Sequence, residues 1–315
     1  MAPALLFLRP AMRQQTIRKP VVIEGIGLHS GKRARMLLSP APPDSGIVFR
    51  LGHDGHPIPA APESVVDSHY ATTIGSNGHR IQTVEHLMAA AAGLGIDNLD
   101  VEIDGSEVPA VDGSAKPFVA LLNTAGRATQ SARRRPITIG QPVSVGEGAR
   151  WIRIVPAAEF RISYTLDNDH PAIGVQTLSV VPSEESFVSE FAPARTYGFL
   201  NDLGVMRKHG LALGGSLDNA IVIGKRGTLN GLRYRDEFVR HKILDLIGDL
   251  ALLGRPVQGH VIARNAGHAL NFELVLAIQR ALGLERRTAG AALRVAPAVG
   301  AVERADGFAP APAPI

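Results

Sequence analysis

The chain has 315 residues, enough for two ordinary domains, and its 45% apolar and 20% charged residues are normal for a soluble protein. The formal net charge of +4 suits an anionic partner. However, only 5% of the residues are aromatic and no basic stripe is present, which disfavours a nucleic-acid-binding module. Cysteine is absent, so disulfides are excluded and a metal must be held by histidine or carboxylates. This fits the cytoplasmic location that we expect.

The two ends of the chain do not predict folded structure. Residues 1–15 contain a short apolar run at 4–8 without a basic leader, so we expect a flexible extension and neither a signal peptide nor membrane insertion. Residues 306–315 alternate alanine and proline, which predicts a disordered tail.

Residues 16–130 predict a first α+β domain. Apolar runs bounded by turn residues predict its strands, at 21–23, 35–39, 47–50, 71–74, 79–82 and 99–103. The stretch GIGLHSG at 25–31 is interpreted as a turn, because it lacks the lysine and serine order of a phosphate loop. A helix is expected at 115–125, capped by Ser114. The polar, basic residues 126–135 are interpreted as the connector between domains.

The helix predicted at 83–93 has an unusual composition. Thr83 is a plausible N-cap, and every later residue is apolar except Glu85 and His86. Such a helix is buried on nearly all sides, and a buried carboxylate needs a cation or a hydrogen-bond network. The alternative is that Glu85 is exposed in the first turn, with His86 at the surface.

Residues 131–305 predict a second α+β domain. Its strands are expected at 137–139, 151–155, 161–166, 176–181, 220–223 and 259–263, and its helices at 184–191, before 208, at 236–253 and at 272–282. The helix at 236–253 has apolar residues at three- and four-residue steps and ends at Gly254. We predict that His268 lies in a glycine-hinged loop before the last helix.

The polar face of the helix at 236–253 carries His241, Asp245 and Asp249, each four residues from the last. This spacing stacks the three side chains in one column. An imidazole and a carboxylate one turn apart can hold a zinc ion together. The alternative is an ordinary solvated face, since nearly every surface helix has one.

The two halves follow the same order of strands, long helix, glycine turn, strand, loop and second helix. This predicts an α+β protein of two similar domains, each a mixed or antiparallel sheet with two helices on one face. The two helix layers would pack together between the sheets. That packing would bring Glu85 and His86 against His241 and Asp245, with the chemistry between the domains.

Together, His86, His241 and Asp245 supply three zinc ligands, and a catalytic zinc keeps one further position for water. Glu85 points about 100° away from His86, so it is predicted as general base rather than ligand. His268 could give a proton to the leaving group, with Asp249 orienting it. By spacing alone this remains a hypothesis, because HxxxD is a weak motif.

Eight motifs resemble the zinc-dependent UDP-3-O-acyl-N-acetylglucosamine deacetylases of lipid A biosynthesis. They are GIGLHSG at 25–31, TVEHL at 83–87, GLGIDN at 93–98, DGSAKPF at 112–118, ARTYGF at 194–199, GGSLDNAIV at 214–222, DEFVRHKILDLIGDL at 236–250 and GHALN at 267–271. The resemblance covers about residues 16–283. It implies hydrolysis of the N-acetyl amide of an acylated UDP-sugar with release of acetate.

The resemblance also implies a role for each matching residue. The zinc ligands would be His86, His241 and Asp245, with Glu85 as base and His268, backed by Asp249, as acid or transition-state stabiliser. Thr196 would hydrogen-bond the oxyanion, and Lys242 would face the anionic part of the substrate. An insert at about 190–222 would hold the acyl chain, with substrate-binding residues Tyr197, Leu200, Leu203, Gly215, Leu217 and Val222.

Two alternatives stay open at this point. In the insert, ordinary core packing is the alternative role for Leu200, Leu203, Leu217 and Val222. Tyr197 stands where the family has phenylalanine. The whole chain could also be a non-catalytic binder of lipids or sugar nucleotides, with a purely structural His/Asp column. We expect a monomer.

Overall fold

The computed structural model describes residues 13–53 and 55–283. Its helices are α1 Glu85–Gly93, α2 Lys116–Ala125, α3 Glu184–Ser186, α4 Leu203–Lys208, α5 Glu237–Ala251 and α6 His268–Ala281, with a 3-10 turn at Pro62–Ser64 and a π-helical turn at Phe187–Phe191. Its strands are β1 Arg13–Ile17, β2 Val21–Ile26, β3 Arg33–Pro40, β4 Ile47–Leu51, β5 Ile58–Pro59, β6 Val65–Asp67, β7 Thr73–Ser76, β8 His79–Ile81, β9 Leu99–Ile103, β10 Arg127–Arg133, β11 Ile137–Thr138, β12 Val143–Glu147, β13 Arg150–Val155, β14 Arg161–Asn168, β15 Gly174–Val180, β16 Tyr197–Phe199, β17 Ile221–Ile223, β18 Val257–Gln258 and β19 His260–Arg264. The tail predicted at 306–315 lies outside the described residues, as does most of the extension predicted at 1–15.

Two five-stranded sheets share one topology. Their strand orders are β2-β3-β9-β4-β5 and β12-β13-β19-β14-β15. In each sheet the central strand, β9 or β19, is antiparallel to one neighbour and parallel to the other. Each central strand also lies in the sequence between two long helices. The common order confirms the predicted α+β architecture of two similar units.

The four long helices form a layer between the sheets. Helix α2 packs on β2, α5 on β14 and β15, and α6 on β12 and β13, while α1 packs against α2 and α5. A Cβ atom at Gly248 would lie 2.2 Å from the carbonyl oxygen of Glu85. Glycine therefore lets the backbone of α5 touch the start of α1, and this contact brings His86 beside His241. Among the described residues, no helix is both long and apolar enough to cross a bilayer.

An extra segment lies between β15 and α5. Its strands β16 and β17 pair in parallel, with Tyr197 opposite Ile221, and the short helix α4 lies between them in the chain. The amide of Leu213 donates to the carbonyl of His29 at 3.0 Å, so this segment contacts the glycine turn of the first unit. It overlaps the insert predicted at about 190–222.

The structure adds strands to two segments for which none was predicted. Residues 126–135 join α2 to β11, but β10 occupies most of them and pairs with β1. Residues 13–15 belong to β1 rather than to a flexible extension. Both strands are mostly polar, and their partners are more than 100 residues apart in the chain, so no local pattern of apolar residues marks them. The boundary predicted after residue 130 consequently falls inside a strand.

Two local predictions near the helix starts are also wrong. Helix α1 begins at Glu85 after Val84, and Thr83 does not cap it, because its side chain bonds Glu107 instead. Thr83 has a φ of +62°, which is uncommon for a β-branched residue. His268 is the first residue of α6 and not part of a loop, since Gly267 serves as the N-cap.

Candidate metal centre and active site

The three predicted metal ligands meet where α1 crosses α5. His86 Nε2 lies 3.6 Å from Asp245 Oδ1, and His241 Nε2 lies 3.2 Å from the same oxygen. One ligand atom from each residue falls within 4.8 Å of the others, and all three side chains are buried. The interpretation of His241 and Asp245 as a solvated face is therefore wrong.

The donor set fits a metal ion. In a tetrahedral zinc site with bonds of about 2.0–2.1 Å, neighbouring ligand atoms lie roughly 3.3 Å apart, close to the two distances to Asp245. Asp245 Oδ1 is buried and has no hydrogen-bond partner among the described residues. Such an orphaned oxygen is costly unless a cation satisfies it. The geometry and the orphaned atom both support a cation between the three side chains.

The protonation states of His241 and Asp245 also suit a ligand set. Burial lowers the pKa of His241 to about 4, so its imidazole is neutral near pH 7. Its Nδ1 lies 3.1 Å from the carbonyl oxygen of Ala194, which leaves Nε2 for a metal. Burial would raise the pKa of Asp245, but the neighbouring His241, His268 and Lys242 outweigh it and hold that pKa well below its usual range.

His268 forms a second buried pair beside the ligands. Its Nδ1 lies 2.9 Å from Asp249 Oδ2, and its Nε2 lies 3.8 Å from Asp245 Oδ2. Burial acts to lower the pKa of His268, but the carboxylates of Asp249 and Asp245 outweigh it and raise that pKa to about 10. At neutral pH the ring is therefore a cation that can donate a proton.

Glu85 lies opposite this imidazole and is only 3% exposed, which rules out the alternative of an exposed first turn. Its Oε1 is 4.0 Å from His268 Nε2, and its Oε2 accepts the amide of Thr72 at 3.0 Å. Burial raises the pKa of Glu85. A carboxylate with a raised pKa is a stronger base at neutral pH.

Two further residues of the predicted site, Lys242 and Tyr197, border the metal centre. Lys242 Nζ lies 3.5 Å from Asp245 Oδ2 and 5.6 Å from the ring centre of Tyr197. The ring of Tyr197 is edge-on to His241, with 6.3 Å between ring centres. Thr196 lies next to Tyr197, and its backbone is fixed by bonds to Gly113 and Ile221.

The apolar residues predicted to bind an acyl chain lie in the segment after β16. Leu200 is 45% exposed and Leu217 is 51% exposed, so neither is a core residue. Leu203 and Val222 are half-buried. Gly215 approaches Leu28 of the glycine turn, because a Cβ at that position would lie 3.9 Å from Leu28 Cδ1.

Sequence reasoning missed three residues that hold this site together. Thr72 donates its hydroxyl to Asp249 Oδ1 at 2.5 Å and its amide to Glu85, but no local pattern marks it. Asn271 donates to Asp249 Oδ2 at 2.9 Å. A buried asparagine one turn after His268 could have been found from helical spacing. Glu107, which accepts hydrogen bonds from His29, Ser30 and Thr83, was also missed.

Comparison with known proteins agrees with this geometry. A family model described as LpxC, UDP-3-O-acyl N-acetylglycosamine deacetylase, matches residues 14–280. A UDP-3-O-acyl-N-acetylglucosamine deacetylase of Myxococcus xanthus is 51% identical over 273 residues, covering 85% of this chain and 87% of the relative. One of the same name from Syntrophotalea carbinolica is 50% identical over 266 residues, covering 83% and 86%. One from Acidithiobacillus ferrooxidans is 48% identical over 273 residues, covering 85% and 90%.

Proposed function

This chain belongs to the LpxC family of UDP-3-O-acyl N-acetylglycosamine deacetylases, and we propose that it deacetylates UDP-3-O-(3-hydroxyacyl)-N-acetylglucosamine with the help of a zinc ion. Water adds to the acetyl carbonyl and the amide C–N bond breaks. The products are acetate and UDP-3-O-acyl-glucosamine, an intermediate of lipid A biosynthesis. The observation that carries the proposal is the meeting of His86, His241 and Asp245 within 4.8 Å of one another at a buried helix crossing.

His86, His241 and Asp245 would hold the zinc ion. When bound, zinc would polarise the acetyl carbonyl and make the attacking water more acidic. Asp245 would contribute a negative charge, and the two histidines would bind through neutral imidazole nitrogens. The carbonyl oxygen of Ala194 lies 3.1 Å from Nδ1 of His241, which would leave Nε2 to bind the ion.

Glu85 acts as the general base that accepts the proton of the attacking water. The amide of Thr72 fixes one of its oxygens, and the other oxygen faces His268 across 4.0 Å. Burial raises the pKa of Glu85, which brings this carboxylate closer to the pH at which it works. A general base of this kind contributes about 10²–10⁴-fold to the rate.

His268 acts as the general acid for the leaving amine. Asp249 binds the far nitrogen of the ring and keeps the ring charged, so the proton is held at Nε2 on the side of Glu85. The same charge stabilises the negative oxygen that forms during attack. Thr196 adds a hydroxyl hydrogen bond to that oxygen, and Lys242 faces the anionic part of the UDP-sugar.

The acyl chain of the substrate lies along the segment after β16. Tyr197, Leu200, Leu203, Gly215, Leu217 and Val222 provide its wall. The exposure of Leu200 and Leu217 supports this role, because each can bury further area against a lipid chain. We also propose that the enzyme acts as a monomer, because one chain supplies both catalytic groups and all three metal ligands. The proposed cytoplasmic location fits a sequence without cysteine.

The direct test of this function is acetate release from purified protein. We expect acetate in a 1:1 ratio with UDP-3-O-acyl-glucosamine, and at least tenfold slower release from UDP-N-acetylglucosamine without the acyl chain. Equal rates on both substrates would contradict acyl recognition. Tight binding of the acylated UDP-sugar without any acetate would contradict the deacetylase and favour a non-catalytic binder.

A further inference from the structure

Glu107 is a buried carboxylate that lies outside the metal centre. It is 2% exposed and follows β9 in the loop before α2. Its Oε1 accepts the amide of His29 at 2.8 Å and the hydroxyl of Thr83 at 3.0 Å, and its Oε2 accepts the amide of Ser30 at 2.7 Å. A buried carboxylate with three donors from two distant segments acts as a crosslink between them.

The first segment held by Glu107 leads directly into α1. Thr83 has a φ of +62° and lies two residues before Glu85. A β-branched residue rarely adopts this backbone conformation and keeps it only when its surroundings fix it. The hydroxyl bond to Glu107 supplies part of that restraint. The amide of Gln82 also donates to the carbonyl of Ser106 at 3.0 Å, so the two loops are paired at this point.

The second segment held by Glu107 is the glycine turn between β2 and β3. On its other side, the carbonyls of Leu28 and His29 accept the amides of Gly214 and Leu213 at 3.0 Å each. A Cβ atom at Gly27 would lie 2.2 Å from Glu107 Oε2, so a glycine is required there for the carboxylate to fit. The turn therefore links the position of Glu107 to Leu213 and Gly214, in the segment that is proposed to bind the acyl chain.

We propose that Glu107 is a positioning residue for the deacetylation. One branch runs through Thr83 to the start of α1 and sets the position of Glu85. The other branch runs through the glycine turn to residues 212–214 and sets the position of the acyl-binding segment. This inference rests on the proposed function, but its effects on the backbone can be measured without turnover.

The kinetic test separates the two branches. Thr83→Val removes the hydroxyl and keeps the side-chain shape, so kcat is expected to fall roughly tenfold with an unchanged KM. Glu107→Gln weakens both branches, so kcat is expected to fall and KM to rise, each by roughly tenfold. In the double variant kcat is expected to fall no further than in Glu107→Gln alone, because both changes break the same contact.

Two further variants serve as matched controls. Thr83→Ser keeps the hydroxyl and should retain the kcat of the parent enzyme. Glu184→Gln removes the charge and one acceptor from the pair between Glu184 and Arg127, whose hydrogen bonds are 2.7 and 2.8 Å long. This pair lies away from the metal centre, so kcat and KM should stay unchanged. Zinc content is measured for every variant so that rates are compared per loaded enzyme.

Hydrogen exchange of the full chain tests the crosslink without turnover. In Glu107→Gln, the amides of residues 27–31 and 83–86 are expected to exchange at least tenfold faster than in the parent protein, while β12 to β15 stay unchanged. Unchanged exchange in both segments, or a kcat of Glu107→Gln within twofold of the parent, would overturn the proposal. If the parent protein is inactive, only the proposed function is contradicted, because the exchange result still shows whether Glu107 holds the two segments together.

Discussion

His268 Nδ1 lies 2.9 Å from Asp249 Oδ2 inside the crossing of α5 and α6. Asp249 also accepts hydrogen bonds from Thr72 and Asn271, so its carboxylate is held from three sides. The three residues of the column on α5 therefore have different roles. His241 and Asp245 belong to the group that could hold a metal ion, and Asp249 keeps the neighbouring His268 charged.

Replacing Asp249 tests the charge of His268. The raised pKa of about 10 means that His268 is protonated at neutral pH and loses its proton, with its contribution to activity, as the pH rises through that value. Asp249→Asn removes the main stabiliser of the cation, while burial still lowers the pKa. We therefore expect the basic limb of the kcat/KM profile to move to lower pH and the neutral rate to fall roughly tenfold or more.

The same pair links pH to stability. The pKa of His268 is raised in the folded protein from an unfolded value near 6.5. The charged ring therefore stabilises the fold fully below pH 6.5, and this stabilisation is lost as the pH approaches about 10.

Asp100→Asn, on β9 and away from the metal centre, is the control for the pH–rate experiment and should keep the kcat/KM profile of the parent enzyme. A basic limb that does not move in Asp249→Asn would contradict the assignment of His268.

Replacing Glu85 separates catalysis from metal binding. Glu85 is not among the three residues whose atoms converge on the metal position. Glu85→Ala is therefore expected to keep one zinc per chain and to lose about 10²–10⁴-fold in kcat. Metal analysis and acetate release on the same sample measure both quantities. Loss of zinc together with activity would instead make Glu85 a ligand.

Adding one methyl group at the helix crossing tests the packing that builds the site. Gly248→Ala would press a Cβ against the backbone of Glu85, so we expect a loss of about 1–3 kcal/mol in the free energy of unfolding. The displaced start of α1 should also weaken zinc binding by roughly tenfold or more. Gly204→Ala is the matched control, since its added Cβ would meet no described atom within 4 Å beyond its chain neighbours and the backbone of its own helix. Equal zinc affinity in both variants would contradict the packing argument.

Truncating an exposed leucine tests the acyl-binding segment. Leu217→Ala removes apolar area that is available to a lipid chain, so we expect KM to rise roughly three- to tenfold for a long acyl substrate. A substrate with a short acyl group should show no change. Val175→Ala, at a residue that is 69% exposed on β15, is the control. The same rise in KM for both chain lengths would argue against a chain-binding role.

Helical spacing was sufficient to predict the column on α5 and the burial of α1. His241, Asp245 and Asp249 are four residues apart, and Glu85 and His86 stand alone among apolar residues, so each pattern is local. The repeated order of elements also predicted which two helices meet. The eight motifs then linked these separate segments to one family.

Contacts between distant segments could not be predicted in the same way. Thr72 reaches Asp249 across 177 positions of the chain, and nothing in its neighbourhood marks it. Thr83 has the residue type of an N-cap, yet a long-range bond to Glu107 takes its hydroxyl. The pairing of β1 with β10 also overrides a polar sequence that resembles a connector.

The most direct test of the proposed zinc dependence is acetate release by chelated protein before and after zinc is added back. We predict that removal of the metal abolishes turnover of the acylated UDP-sugar and that one equivalent of zinc restores it. The matched variant His241→Ala should recover neither the metal nor the activity, whereas His209→Ala, at an exposed histidine after α4, should recover both. Full activity of the metal-free protein would contradict the account.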